Sequence, residues 1–239
     1  MIGAQYVLYG GGDFALEVAT YLMDVLAVSD TVERRDADSA AALVTDIVSS
    51  SEPRRDALED ILGTIPSYHA QFGMVADVDK KRVLICIGNA EVRHRIYNNL
   101  CGTGVTFATI VHPTAYVSST AKIGSGSIIC PFVFVGPFAC VGNNCAINVQ
   151  YVVGHDAKLG DSTVLSPCTD INGWGSTGTA AFLGAGAIMQ PKAKLGAYSK
   201  LSSGSVLVGE AGDGYLMHGN PAKGRQMMKP PAISTPTHG

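Results

Sequence analysis

No run in this chain approaches the ~20 consecutive apolar residues that a membrane-spanning helix requires, so no span is expected. The opening segment, MIGAQYVLYGGG, has no basic start, and its apolar stretch is too short for a secretory signal. None of the six cysteines forms a CxxC pair, and their spacings match no zinc or redox pattern. They are expected to be small buried hydrophobes in a reducing cytoplasm. Basic residues are too few for a nucleic-acid footprint: 17 Lys and Arg face 20 Asp and Glu, a net charge of −3. Charged residues make up 15% of the chain and hydrophobic ones 46%, which supplies a sizeable core and excludes global disorder. The length of 239 residues has room for two domains.

What is abundant is glycine, and it is periodic. From Val117 to Leu207 every sixth residue is aliphatic in fifteen of sixteen cases, Thr177 being the exception. Four residues after each comes a second series, from Ala121 to Ala211, of which fourteen are Ala, Ser, Thr, Cys or Gly. The position right after the aliphatic residue is glycine in half the cases, Gly124, Gly136, Gly154, Gly160 and Gly184 among them. A period of six fits neither a helix nor plain alternation. It fits a solenoid in which each hexad makes one short strand and one corner. Large aliphatics fill the interior, small residues occupy the narrow part of a triangular section, and glycine is expected to relieve strain at the corner. Three hexads close one coil, so Val117, Val135, Val153, Ile171, Met189 and Leu207 should stack as one ladder.

Ahead of the repeat, strand and helix signals alternate, which predicts a small parallel α/β sheet. Strands are expected at 5–9, ending near Ser29-Asp30, at 82–87 and at 105–110. Helices are expected from Asp13, placed as a cap, to about Val25, and over 91–100. Gly10-x-Gly12-x-x-Ala15 fits the glycine turn of dinucleotide folds, with Asp30 where a ribose-binding acid belongs. A region ending near 110 holds only half of a doubly wound fold, which favours a nucleotide-sugar diphosphate over NAD; a turn without ligand is the bland alternative. The stretch 31–62 reads as an insertion, either helix and loop or lid. The division expected is 1–110 for the Rossmann-like part, 111–224 for the β-helix and 225–239 for a flexible tail. The sheet and the β-helix each have their own source of burial and are expected to stand alone.

His155 is the one histidine inside the hexad array, in a non-interior slot two after Val153 and followed by Asp156. A histidine beside a carboxylate suits general-base chemistry near neutral pH, and it also suits a solvated surface. The run Ile147-Asn148 through Val153-Gly154-His155-Asp156 to Leu159-Gly160-Asp161 resembles the active-site coil of the sialic-acid and bacillosamine-pathway sugar acetyltransferases. Tyr9-Gly10-Gly11-Gly12, Ile87-Gly88-Asn89-Ala90-Glu91-Val92-Arg93, His112-Pro113-Thr114-Ala115 and the closing Gly219-Asn220-Pro221-Ala222-Lys223 extend the likeness over most of the chain.

The resemblance implies an α/β domain joined to a left-handed parallel β-helix, a homotrimer, and acetyl-CoA in the groove between subunits. It implies His155 as the base, Asp156 as its support and Asn148 near the acceptor. Val164, Gly173, Ala185 and Ser203 would line the cofactor, and Gly12, Asp13 and Phe14, with Asp30, the nucleotide sugar. The expected reaction is N-acetylation of a UDP-, GDP- or dTDP-linked amino sugar by direct attack, in the cytoplasm. O-acetylation of sialic acid or a related sugar is the enzymatic alternative, and a nucleotide-sugar-binding scaffold the non-enzymatic one. A metal site of the γ-carbonic anhydrase kind needs about three histidines; the repeat holds one, and no metal is expected. The chain departs from the family's pattern at Val164, where many relatives carry histidine, at Asp13-Phe14, and in the insertion after Asp30.

Overall fold

The structure is a computed structural model that describes residues 4–29, 44–50, 53–64, 66–71 and 75–230. It opens with strand β1 (Gln5–Tyr9), helix α1 (Asp13–Ser29), β2 (Val44–Val48), α2 (Arg55–Leu62) and β3 (Ser67–His69). Next come β4 (Lys81–Ile85), α3 (Ala90–Leu100) and β5 (Thr106–Phe107). The strands form one parallel sheet in the order β3-β2-β1-β4-β5. Tyr6 and Leu8 point to one face, under Val18, Leu22 and Leu58; Val7, Val83, Ile85 and Leu100 pack the other.

Two expectations fail here. The second strand does not end at 29–30: α1 continues to Ser29, because no glycine or proline interrupts 13–29 and Val18, Ala19, Leu22 and Val25 keep one buried face at helical spacing. The strand beside β1 is instead Val44–Val48, within the stretch read as an insertion. The expected strand at 105–110 splits, with Thr106–Phe107 closing the sheet and Ile110–Val111 opening the first coil.

From residue 110 the chain winds as a parallel β-helix of two-residue strands. Its first face begins at Ile110–Val111, its second at Tyr116–Val117 and its third at Lys122–Ile123. Register follows the eighteen-residue coil: Val117 pairs with Val135, Val135 with Val153, Val153 with Ile171, and Met189 with Leu207. From Val135 onward these inward side chains are almost wholly buried, and Val117 at the open end is partly so. The irregular positions are satisfied internally. Thr177 Oγ1 meets Thr163 Oγ1 at 2.9 Å, and the Tyr151 hydroxyl donates to Thr169 Oγ1 at 3.0 Å. Ala211, expected among the small residues, takes an interior aliphatic slot opposite Leu195, because the last coil is two residues short. Strand Lys223–Gln226 then pairs antiparallel with Tyr215–His218, so residues 225 and 226 belong to the fold rather than to a tail.

The corners correct the role given to glycine. Left-handed φ recurs at every sixth residue from Gly126 to Gly204, and most of these residues are not glycine: Phe132, Phe138, Asp156, Trp174 and Lys192 are examples. This conformation aims each corner N–H at the previous coil, as when Asp156 donates to the Pro137 carbonyl at 2.9 Å. The glycines after the aliphatic residues serve close stacking instead. A Cβ at Gly154 would lie 2.7 Å from Gly173 N, and one at Gly160 2.5 Å from Gly178 C.

The sheet and the coils also share a core, where two separate ones were expected. Ile110, Ile128 and Cys130 belong to the same buried cluster as Tyr6, Leu8 and Leu22. Fully buried Arg93 of α3 donates to the carbonyls of Ile85, Gly126, Asn144 and Cys145. His112, at the first coil, meets Asp24 of α1 at 3.0 Å.

Candidate functional site

The chain turns from β1 to α1 through Gly10-Gly11-Gly12. Gly10 has φ 130°, and a Cβ there would lie 2.5 Å from the Cys86 carbonyl oxygen. Its N–H donates to Val48 O at 2.8 Å, so the turn is wedged between the ends of β2 and β4. Chain connections leave β1 in opposite senses there, the place where open parallel sheets hold ligands. A cavity of about 600 Å³ opens at this point, lined by Gly10 to Phe14, Ser49, Ser50, Gly88, Arg95 and Asn99. Gly12 faces open space. Asp13 is the first residue of the helix rather than the one before it, and its carboxylate meets Arg54 at 3.2 Å. Asp30 lies outside the described residues. The strand whose end should carry a ribose acid is β2, and it is followed by Ser49 and Ser50.

A second cavity, of about 140 Å³, lies in the seam. Phe14, Glu17, Gly88, Asn148, Val164 and Ser166 line it. Asn148 is on the corner between the first and second faces, and its Oδ1 accepts from Val149 N at 2.8 Å. Val164 projects outward from the first face and is buried beneath the sheet domain with Ala90 and Phe14. Burial pushes the Glu17 carboxyl above its ordinary range, against a hydrogen bond from Tyr21. Ala185 and Ser203 stack on this same line of corners, and Gly204 N donates to Ala185 O at 2.9 Å.

His155 sits elsewhere, on the corner between the second and third faces. Its Nδ1 lies 2.9 Å from Asp156 Oδ2, and the two side chains are 50% and 36% exposed. Gly173 lies directly under the imidazole. The indole of Trp174 meets the imidazole edge-on, with centroids 4.4 Å apart, and Lys192 Nζ stands 5.9 Å from that indole's centre. The structure therefore gathers His155, Asp156 and Gly173 at one corner. It gathers Phe14, Asn148 and Val164 at another. Strand Val152–Val153 runs between them. Ser49, Ser50, Arg95, Asn99, Trp174 and Lys192 were not singled out from sequence. Trp174 carried a signal, being the single tryptophan, one coil on from the histidine pair.

No thiol is poised beside His155. All six cysteines are free. Cys86, Cys130 and Cys145 are buried, and burial pushes the Cys86 and Cys145 thiols up to about 12. Cys101 and Cys168 are exposed, against the expectation of burial, because one follows the last turn of α3 and the other stands at a left-handed corner. Among the described residues no three His, Cys, Asp or Glu side chains converge as a metal site would require, and no helix is long and apolar enough to cross a membrane.

No protein-family profile matches the chain. Over 111 residues it is 32% identical to a GDP-perosamine N-acetyltransferase of Escherichia coli O157:H7, an alignment that takes in 46% of this chain and 50% of that relative's length. The likeness to solved structures is longer. PerB from Caulobacter crescentus, crystallised in complex with CoA and GDP-perosamine, is 27% identical, with a TM-score of 0.77 over 93% of this chain and 98% of that one. The acetyltransferase domain of PglB from Neisseria gonorrhoeae, 20% identical, shares the fold with a TM-score of 0.73 over 93% of this chain and all of its own. In its eighteen-residue coils and glycine-turn sheet the chain is thus similar over nearly its whole length to solved sugar acetyltransferases.

Proposed function

We propose that the protein transfers the acetyl group of acetyl-CoA to the amine of a nucleotide-linked amino sugar, with His155 as general base. The observation that carries this reading is the His155–Asp156 pair, ordered at 2.9 Å on an open corner. The neutral amine attacks the thioester carbonyl, and its proton passes to imidazole Nε2 while Asp156 holds Nδ1 and stabilises the imidazolium. The C–S bond breaks, and coenzyme A leaves as its thiol after taking up a proton. Direct attack suits a corner where no cysteine or serine adjoins the base in sequence. Asn148 is assigned to the acceptor, and Gly12, Asp13 and Phe14 to the nucleotide sugar, whose diphosphate suits a glycine turn at a helix start. Ser203, Ala185, Val164 and Gly173 remain the residues proposed along the cofactor.

The functional division proposed is 1–110 for the nucleotide sugar and 111–224 for acyl transfer, with the last residues as a tail. The reaction is proposed to run in the cytoplasm, a setting that suits acetyl-CoA as donor. A homotrimer accounts for the three faces of the β-helix. The first is covered by the sheet domain, burying Ile128, Ala146 and Val164. The third is solvated, with Lys122, Lys158 and Lys194 outward. The second presents Tyr116, Phe134 and Val152 uncovered, the first two rings stacked at 5.2 Å. An apolar face of this kind calls for a partner, and cyclic closure with two further copies supplies one. The two groups of site residues flank that face, so a neighbouring copy brings one group up to the other.

The test is thiol release from acetyl-CoA with GDP-, UDP- and dTDP-linked amino sugars, each product assigned by NMR. The reading expects one nucleotide sugar to be turned over with an amide formed on its amine. Release only with sugars that lack an amine would replace it with O-acetylation, and binding without release would leave a scaffold.

A further inference from the structure

We infer that Gly173 and Trp174, on the coil after His155, form the seat of its imidazole and act as positioning residues for the base; this rests on the role proposed for His155. A Cβ at Gly173 would lie 2.5 Å from His155 Nε2 and 2.7 Å from Cε1. No real side chain tolerates that approach, so the ring lies across bare backbone. Trp174 continues the corner at φ 57°, and its N–H donates to the His155 carbonyl at 3.0 Å, which locks the two corners together. Its indole meets the imidazole at 85°. Lys192 N donates to Gly173 O at 3.0 Å, and its ammonium stands over the far part of the indole.

Three contacts therefore define the imidazole. Asp156 takes Nδ1, Gly173 bounds one side and Trp174 another. Among the described residues Nε2 has no hydrogen-bond partner, and it is the nitrogen a base must keep free. An indole in contact with the ring also favours the cation formed when the proton arrives. Trp174 remains 53% exposed, so packing into a core does not account for a tryptophan here.

The experiment measures kcat, KM and the pH–rate profile of the full chain carrying Gly173→Ala, Trp174→Ala or Trp174→Phe. The two alanine variants should lower kcat about 10–100-fold through misplacement of the base. KM for acetyl-CoA should move less than about threefold in Trp174→Ala, as expected of a group that acts on the chemical step. The acid limb of the profile should shift in Trp174→Ala, and Trp174→Phe, which keeps a ring, should recover most of the loss. A second readout needs no turnover. Trp174 is the only tryptophan, so its emission reports the contact and should differ between wild type and His155→Ala. Wild-type kcat and profile in Trp174→Ala, or the same emission with and without His155, overturns the seat. Full activity in His155→Ala with a changed emission overturns the base role instead, and shows the contact to be structural.

Discussion

Three histidine–carboxylate pairs stand among the described residues, and burial separates them. His155 and Asp156 are open, whereas His112 with Asp24 and His69 with Asp46 have histidine side chains only 8% and 17% exposed. The Asp46 site is a structural cluster inside the sheet, where the carboxylate accepts from Lys81 at 2.5 Å and Thr45 at 2.6 Å and meets His69 at 2.8 Å. Burial acts to raise the Asp46 carboxyl, but hydrogen bonds from Lys81, Thr45 and His69 outweigh it and hold the group below its ordinary value. A depressed carboxyl stabilises the fold above about pH 4 and loses that contribution as pH falls through the folded value. Asp46→Asn should cost about 3 kcal/mol at neutral pH by stranding Lys81, and the gap to wild type should close on acidification. Urea unfolding midpoints across pH measure this. A gap that stays constant down to low pH would mean that the carboxylate's charge is not what matters there.

At the scale of elements, α3 is pinned to the coils by one residue. Arg93 has no carboxylate partner among the described residues; its guanidinium is spent on four carbonyls, and burial pulls it down to about 10. Arg93→Leu leaves those acceptors dry, at about 1–3 kcal/mol for each one not rescued by water. It should lower stability by at least ~3 kcal/mol and open the seam at Gly88 and Asn148 to proteolysis ahead of the coils. Equal protection of seam and coils in hydrogen exchange would contradict that. None of this contact was legible in sequence, because three of its four acceptors are backbone atoms more than thirty residues away. The coil ladders were legible, since a six-residue period without slips leaves one way to stack Val135 on Val153. They failed at Ala211, where the loss of two residues puts a small side chain into an aliphatic slot. Strand β2 was obscured by Asp46 at its centre, a charge whose partners His69 and Lys81 come from β3 and β4. For the site, the His155–Asp156 adjacency was legible and the Trp174 contact was not, because neighbours across coils appear only once the eighteen-residue step is applied.

At the scale of the whole molecule, the trimer we propose would account for both the uncovered second face and the split site. Phe134→Asp with Val152→Asp puts charge into that contact, an unfavourable burial. The pair should convert a trimer to monomers by light scattering and remove most turnover, with the monomer still folded by circular dichroism. A wild-type protein that is monomeric and fully active would remove the shared-site account. The central claim is narrower, that His155 takes the proton as the sugar amine attacks acetyl-CoA. Its most direct measurement is the turnover number of His155→Ala against wild type, at saturating acetyl-CoA and nucleotide amino sugar. The account predicts a fall of ~10²–10⁴-fold with acetyl-CoA affinity little changed. Turnover at the wild-type rate in His155→Ala would contradict it.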